Sequence, residues 1–289
     1  MLSSKPGPTG YPDEYSKVTA YARIIADQAQ AIDRSVTPTP GAAWQEVPDD
    51  TPFAYRDTAT SRAGLTAINR RYRGHRIAII GLGGTGSYIL DQIAKTEVDT
   101  ILLIDGDTFD NHNAFRAPGA PTLDTLRSRL NKAAYFASIY SNMHRGVTAY
   151  EQYLDEGNLA VLSGSTFVFI ASDDAAGKPV IMDWLEAHGI PFIDVGVGIE
   201  ETDGRLGGLL RVTTSLPGRR EQARQRIPIP APERDDYGRN IQTADLNALN
   251  AMLAVIRWKR HIGIYADATD EGFTTYSLIT NEIANEDLP

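Results

Sequence analysis

The sequence contains no cysteine. Disulfides, thiolate-held zinc and a thiol nucleophile are therefore excluded from this chain. Long apolar runs are missing too: no stretch approaches the roughly 20 residues needed to cross a bilayer. The opening, MLSSKPGPTGYPDEY, lacks the basic-then-apolar layout of a signal peptide. The expectation is a cytoplasmic protein with no membrane partner. Histidine is scarce, five residues scattered along 289, which offers no metal cluster. Positive charge is short as well, with 28 Lys+Arg against 37 Asp+Glu and a formal net charge of -9. Nucleic-acid binding needs clustered basic residues to neutralise phosphates, so no nucleic-acid partner is expected. The two basic runs, RRYRGHR and GRREQARQR, read as solvated helix or loop surface.

What is present suits a globular chain: 42% hydrophobic and 22% charged residues, enough for one large domain or a domain with an extension. Residues 1–60 read as an N-terminal helix followed by a proline-rich arm. Residues 15–32 (YSKVTAYARIIADQAQAI) carry Val18, Tyr21, Ile25 and Ala29 on one stripe. Residues 35–53 (SVTPTPGAAWQEVPDDTPF) are proline-rich and aperiodic, a loop, a linker or an arm lying on a partner. Residues 62–73 read as a short helix leading into the first strand.

From Arg76 the rhythm becomes strand–helix–strand, and residues 61–289 read as one domain. RIAIIG and TILLID are strands flanking a helix near 84–95, and a long polar loop follows. A helix is expected at about 124–143, with Leu126, Leu130, Ala133 and Ala137 at helical spacing. VTAYE, STFVFIAS and IPFIDVG are strands, with a helix at 176–188 between the last two. GRLGGLLRVTTSLPG reads as a strand pair with a glycine-rich bend, and 217–242 as a charged, proline-bearing loop. Thr243 is placed to cap TADLNALNAMLAVIRWKRH, with Leu246, Leu249, Leu253 and Ile256 facing inward. Continuous apolar strands alternating with helices define an α/β, Rossmann-like fold. Its sheet is expected to be mostly parallel, with helices on both faces and antiparallel C-terminal strands.

Gly81, Gly83 and Gly86 satisfy G-x-G-x-x-G between a strand and a helix, with Gly84 as a fourth glycine in the turn. Residues without side chains let the backbone approach a phosphate and aim amide hydrogens at it. Asp105 ends the next strand, where an acid accepts hydrogen bonds from ribose hydroxyls. On these residues alone a nicotinamide-dependent oxidoreductase leads, with a ligand-free bend as the plain alternative.

The next loop changes that ranking. It reads Asp105-Gly-Asp107-Thr-Phe-Asp110-Asn111-His112-Asn113-Ala-Phe-Arg116. GxGGxG followed by D-x-D and N-x-x-R resembles the ThiF/MoeB and ubiquitin-activating-enzyme superfamily, over roughly residues 60–265. Asp105 and Asp107 match the paired acids, and Asn113 and Arg116 match N-x-x-R. Phe109 replaces the usual aliphatic residue, and Ala117 stands where glutamine is common. Lys132, on the next helix, matches a lysine that reaches the ATP phosphates. Asp173-Asp174 resembles an acid–asparagine pair whose acid handles magnesium. Arg62 sits where dimeric members carry an arginine that enters the partner subunit's site. Taken singly, Lys132 is an ordinary solvated lysine, Asp173 a helix cap and Arg116 a loop ion pair; their joint order separates them from that background.

The resemblance implies an ATP-dependent adenylyltransferase acting on the C-terminal carboxylate of a ubiquitin-like protein or peptide with a glycine tail. It implies ATP and Mg2+, no zinc, and a homodimer. Catalytic roles fall to Arg116, Lys132, Asp173 and Arg62, with Asp173 as metal ligand. The nucleotide contacts fall to Gly81, Gly83, Gly84, Gly86, Asp105, Asp107, Asn113, Arg116 and Lys132. Without cysteine the adenylate cannot become an internal thioester. It passes to a conjugating-type acceptor protein, to an internal hydroxyl such as Ser215 or Thr243, or to an amine. The competing readings are an NAD-binding oxidoreductase and an inactive scaffold subunit.

Overall fold

The computed structural model describes residues 6–34, 36, 50–174, 176–229 and 241–286. The chain divides into two compact units, residues 1–50 and 51–289. In the first, α1 (Glu14–Ile32) is capped by Asp13, whose side chain accepts from the Ser16 amide at 2.6 Å. Its buried residue is Ala26, whereas Val18 and Ile25 of the expected stripe are exposed. Most of the proline-rich segment, at 35 and 37–49, lies outside the described residues.

The second unit is an eight-stranded sheet in the order β3-β2-β1-β4-β5-β6-β7-β8. The strands are β1 (Arg76–Ile80), β2 (Thr100–Ile104), β3 (Val147–Tyr150), β4 (Phe167–Ile170), β5 (Phe192–Thr202), β6 (Arg205–Ser215), β7 (Phe273–Ser277) and β8 (Glu282–Glu286). The first five pair in parallel, and β5 to β8 pair antiparallel. This is the Rossmann-like arrangement expected from the continuous apolar runs, which must be buried on both faces.

Alternation along each strand feeds two separate cores. Ile77, Ile79, Phe167 and Phe169 face one side, Ala78, Ile80, Val168 and Ile170 the other. The helices of this unit are α2 (Thr58–Arg62), α3 (Thr66–Asn69), α4 (Gly84–Ile93), α5 (Asn111–Ala114), α6 (Leu123–Arg127), α7 (Lys132–Tyr140), α8 (Gly177–Ala187), α9 (Arg220–Arg226) and α10 (Ala244–His261). Residues of α4, α7 and α10 fill the first core, and α8 covers the second. Trp258 of α10 is fully buried and stacks on Tyr72 at 5.7 Å between centroids, beside Phe167 and Phe169.

Four local expectations are corrected. The short helix at 62–73 is two four- to five-residue helices and a 3-10 turn. The single helix at 124–143 is broken into α6 and α7. Arg129 takes a left-handed φ of 50°, and Asn131 leaves the helix to bridge Thr108 and to cap α7 through the Ala133 and Ala134 amides. The glycine-rich segment 204–218 is not a strand pair: Arg205–Ser215 is one 11-residue strand, paired with an equally long β5. On α10 Leu246 is buried as expected and Leu249 and Leu253 are partly buried, but the inward face also carries Asn247, Asn250, Ala251, Ala254, Val255 and Trp258, and Ile256 is exposed. At its start α10 lies close against the glycine end of α4, where an added Gly84 Cβ would meet the Asn247 amide at 2.1 Å.

Replacing Trp258 by alanine would open a cavity between the sheet and α10. Urea unfolding followed by far-UV circular dichroism is expected to show a loss of about 3–5 kcal/mol. A loss below about 1 kcal/mol would show that Trp258 does not hold α10 to the sheet.

Candidate functional site

The parallel order reverses direction at β1, with β2 on one side and β4 on the other, and such switch points open a crevice at the strand C-termini. Here that crevice is a cleft of about 530 Å³, bordered by the ends of β1, β2, β4 and β5. Gly81, Gly83, Gly84, Asp105, Asp107, Arg116, Lys132 and Asp173 all border it. Gly86, Asn113 and Arg62 do not.

Two glycines are required for different reasons. Gly81 has φ of 85°, and a Cβ there would meet the Ala171 carbonyl at 2.8 Å, so only glycine lets the turn cross beside β4. Gly83 has no protein atom within 4 Å of its Cβ position, which leaves open space ahead of the first turn of α4. The amides that begin a helix have no acceptor inside it, so this end of α4 favours an anion. Asn247 steadies the turn from α10, accepting from the Thr85 hydroxyl at 2.8 Å and donating to the Thr243 carbonyl at 2.9 Å.

At the end of β2, Asp105 is buried and its carboxylate accepts from the Leu82 amide at 2.6 Å and the Asp107 amide at 2.8 Å. Burial pushes its pKa up, and Lys132 and the two amides oppose that shift. The Lys132 ammonium donates to Asp107 at 2.5 Å and lies 3.9 Å from Asp105. Its backbone amide donates to the Asp107 carbonyl, so the break before α7 delivers this lysine to the two acids. Asp107 also accepts from the Tyr153 hydroxyl, whose ring lies over Gly106. Against the opposing cost of burial, Lys132 and Tyr153 hold Asp107 below the usual carboxylate range.

Arg116 follows α5. A capping box between Asp110 and Asn113 forms α5, and the Asn113 carbonyl accepts from the Arg116 amide at 3.1 Å. Asn113 thus sits beneath the loop, buried, and shapes the turn that carries the arginine. Burial lowers the Arg116 pKa, while the fields of Asp173 and Asp107 raise it, which sets the guanidinium within electrostatic reach of both acids. Phe109 is accommodated by stacking on Tyr135 at 4.0 Å and meeting Phe136 edge-on, which packs the loop onto α7.

Asp173 is exposed and borders the cleft beside Asp174. Its hard oxygen donor suits Mg2+, which commonly binds one or two carboxylates together with substrate phosphates. Among the described residues no three His, Cys, Asp or Glu side chains form a metal cluster. Arg62 ends α2, exposed, and does not border this cleft. Ser215 is fully buried and the Thr243 hydroxyl is buried too, so neither is presented as an acyl acceptor.

A second set of charges escaped the sequence reading. Asp194, at 0% exposure, ion-pairs with Lys178 at 2.8 Å and with Arg211 at 2.6 Å, and both cations border the cleft. The available signal was an acid inside the apolar run IPFIDVG, since a buried carboxylate demands a partner. Tyr153 and Asn247 carried no comparable signal.

Lys132→Met would leave Asp105 buried beside Asp107 with no ammonium, and push the Asp105 pKa further up. A carboxyl whose folded-state pKa exceeds its unfolded value binds protons preferentially when folded, so its contribution is lost as pH rises. The variant is expected to lose about 3–5 kcal/mol near neutral pH. The gap to wild type should shrink as pH falls and protonation relieves the charge. An equal gap at about pH 4.5 and pH 8 in urea unfolding would rule out this role for Lys132.

Comparison with known proteins bears on the fold that carries this cleft. The profile of the ThiF family matches residues 56–278, and that of a domain of unknown function (DUF6791) matches residues 1–58. A tRNA threonylcarbamoyladenosine dehydratase of Bacillus subtilis (strain 168) is 26% identical over 159 residues, covering 52% of this chain and 58% of that protein. The match therefore spans little more than half the length of that curated relative. Among solved structures, Escherichia coli MccB with MccA-N7isoASN superposes with a TM-score of 0.62 at 16% identity, covering 80% of this chain and 72% of that one. E. coli MccB with ATP gives 0.58 at 15% identity over the same shares. PaaA gives 0.60 at 15% identity, covering 96% of this chain and 83% of its own. At such identities the superpositions speak for the fold alone. ThiF-family enzymes are ATP-dependent adenylyltransferases. The profile match over most of the second unit, on the sheet and glycine turn just described, makes this chain a member of the ThiF family.

Proposed function

We propose that the protein is an ATP-dependent adenylyltransferase that activates the C-terminal carboxylate of a ubiquitin-like protein or peptide. The observation that carries this reading is the convergence of the glycine turn, Arg116, Lys132 and Asp173 on one cleft. Adenylation brings two anions together: a carboxylate oxygen attacks the α-phosphorus of ATP, and the bond to pyrophosphate breaks. The protein must hold the reactants in line and neutralise charge on the phosphate oxygens and the leaving group. Arg116 supplies a forked donor, and Lys132 a point charge that keeps donor capacity beyond its bond to Asp107. Asp105 and Asp107 border the ribose side. Asp173 would hold Mg2+, which supplies charge neutralisation at the phosphates when bound. No general base is needed, because a terminal carboxylate is ionised at neutral pH.

The substrate tail is assigned to β5, where Gly198 leaves the sheet face low and the Arg211 guanidinium covers Gly196. An added Gly198 Cβ would meet nothing nearer than the Leu209 carbonyl at 3.8 Å, so chain could lie there. Residues 230–240 of the loop expected to cover the tail lie outside the described residues. The adenylate passes to a partner's nucleophile, since the chain has no cysteine and Ser215 is buried. In this reading a homodimer brings Arg62 to the partner's site. MccB structures hold a peptide, MccA, which favours a peptide over other carboxylates. The dehydratase relative acts, by its name, on a modified tRNA, and the net charge of -9 counts against RNA here.

With peptides ending in Gly-Gly, exchange of labelled pyrophosphate into ATP is expected to fall about 10³-fold or more in Arg116→Ala and Lys132→Ala. Near-normal exchange in both would remove these assignments. Gly198→Val should block peptide-dependent exchange and leave ATP affinity unchanged. This site is cleaner than Gly196, where a Cβ would strike the Arg211 guanidinium at 2.8 Å.

A further inference from the structure

The cleft has two electrostatic poles. At one, Arg116, Lys132, Asp105, Asp107 and Asp173 surround the end of the glycine turn. At the other, Lys178, Asp194 and Arg211 gather where β5 leaves the parallel part of the sheet. The composition of the second pole is unusual for a structural ion cluster. A carboxylate at 0% exposure carries two cations, so the group retains a net positive charge. A purely structural pair would be balanced, because an excess buried charge costs several kcal/mol.

The donors are not exhausted either. Arg211 has five N–H groups, of which one goes to Asp194 at 2.6 Å and one to the Thr213 hydroxyl at 2.7 Å. Lys178 has three, and its contact with Asp194 is at 2.8 Å. Lys178 is fixed at the first turn of α8, its amide donating to the Asp174 carbonyl at 3.1 Å. Arg211 lies directly across the strand pair from Gly196, and its guanidinium fills the place a Gly196 side chain would take. Two residues further out on the same face, Gly198 faces Leu209, which is half exposed. A chain lying over Gly198 would therefore end at Arg211.

We infer that Arg211 and Lys178, oriented by Asp194, form the docking site for the carboxylate that attacks ATP. This rests on the adenylation reading and adds the groups that receive the second anion. They offset its repulsion by the triphosphate, and they discriminate a free C-terminus from an amide. Asp194 is a positioning residue, setting the guanidinium plane without touching the substrate.

The test uses the full chain saturated with α,β-methylene-ATP, which cannot form an adenylate. Acetyl-Gly-Gly and acetyl-Gly-Gly-amide are titrated against it by calorimetry or ligand-observed NMR. Wild type is expected to prefer the acid by about tenfold or more, the scale of one charge-assisted hydrogen bond. Arg211→Gln is expected to bring the two ligands within about threefold while nucleotide affinity stays the same. Lys178→Met, which leaves the Arg211–Asp194 pair in place, carries the same expectation should Arg211→Gln fail to fold. An acid preference that survives in a folded variant, or is absent from wild type, overturns the inference. Failure of wild type to bind the nucleotide at all would instead overturn the adenylation reading.

Discussion

The arrangement of the cleft depends on one buried carboxylate. Asp105 accepts from the Leu82 amide on one side and the Asp107 amide on the other, which ties the glycine turn after β1 to the loop after β2. Burying that charge is costly, and the structure meets the cost with two amides and the Lys132 ammonium 3.9 Å away. Lys132 reaches it because the chain breaks at Arg129 and restarts as α7 under an Asn131 cap, with Asn131 also donating to the Asp105 carbonyl at 2.8 Å. A turn, a strand end and a helix start are thus held in register by one side chain.

An acid at this position suggests a ribose ligand, yet both Asp105 oxygens already serve the protein's own backbone. A carboxylate has further lone pairs, so a ribose contact and this scaffolding role are compatible. Asn113 has a similar double character. Its side chain closes the capping box of α5, and so fixes where Arg116 emerges. Structural and chemical duties here belong to the same atoms.

The parallel sheet was legible because RIAII, TILLI and FVFI are apolar throughout, which suits strands buried on both faces. The glycine turn and the acids were legible because backbone geometry and charge at strand ends are local properties. The break between α6 and α7 was not, since it depends on a bridge between Thr108 and Asn131 and on a left-handed Arg129. The inward face of α10 was legible only in its leucines, because leucines outweigh asparagines on any hydrophobic scale. Asn247 and Asn250 are nevertheless buried, donating to the Thr243 and Gly196 carbonyls. Lys178 and Arg211 were illegible for a related reason: they lie 33 positions apart, and only the fold brings them to Asp194.

Lys132 is also the first residue of α7, and that placement has a consequence for ligand capture. A cation at the positive end of a helix dipole is mildly unfavourable for the helix, but the two fields add in front of it. The N-terminus of α4 opens on the same cleft, so helix-end amides and Arg116 offer short-range donors beside the acids Asp105, Asp107 and Asp173, inside a molecule whose net charge of -9 repels anions at a distance. Salt screens the distant field far more than the sheltered one. Moderate ionic strength therefore lowers the approach barrier for a polyanion while sparing those short-range donors, so its capture is hastened by salt rather than slowed.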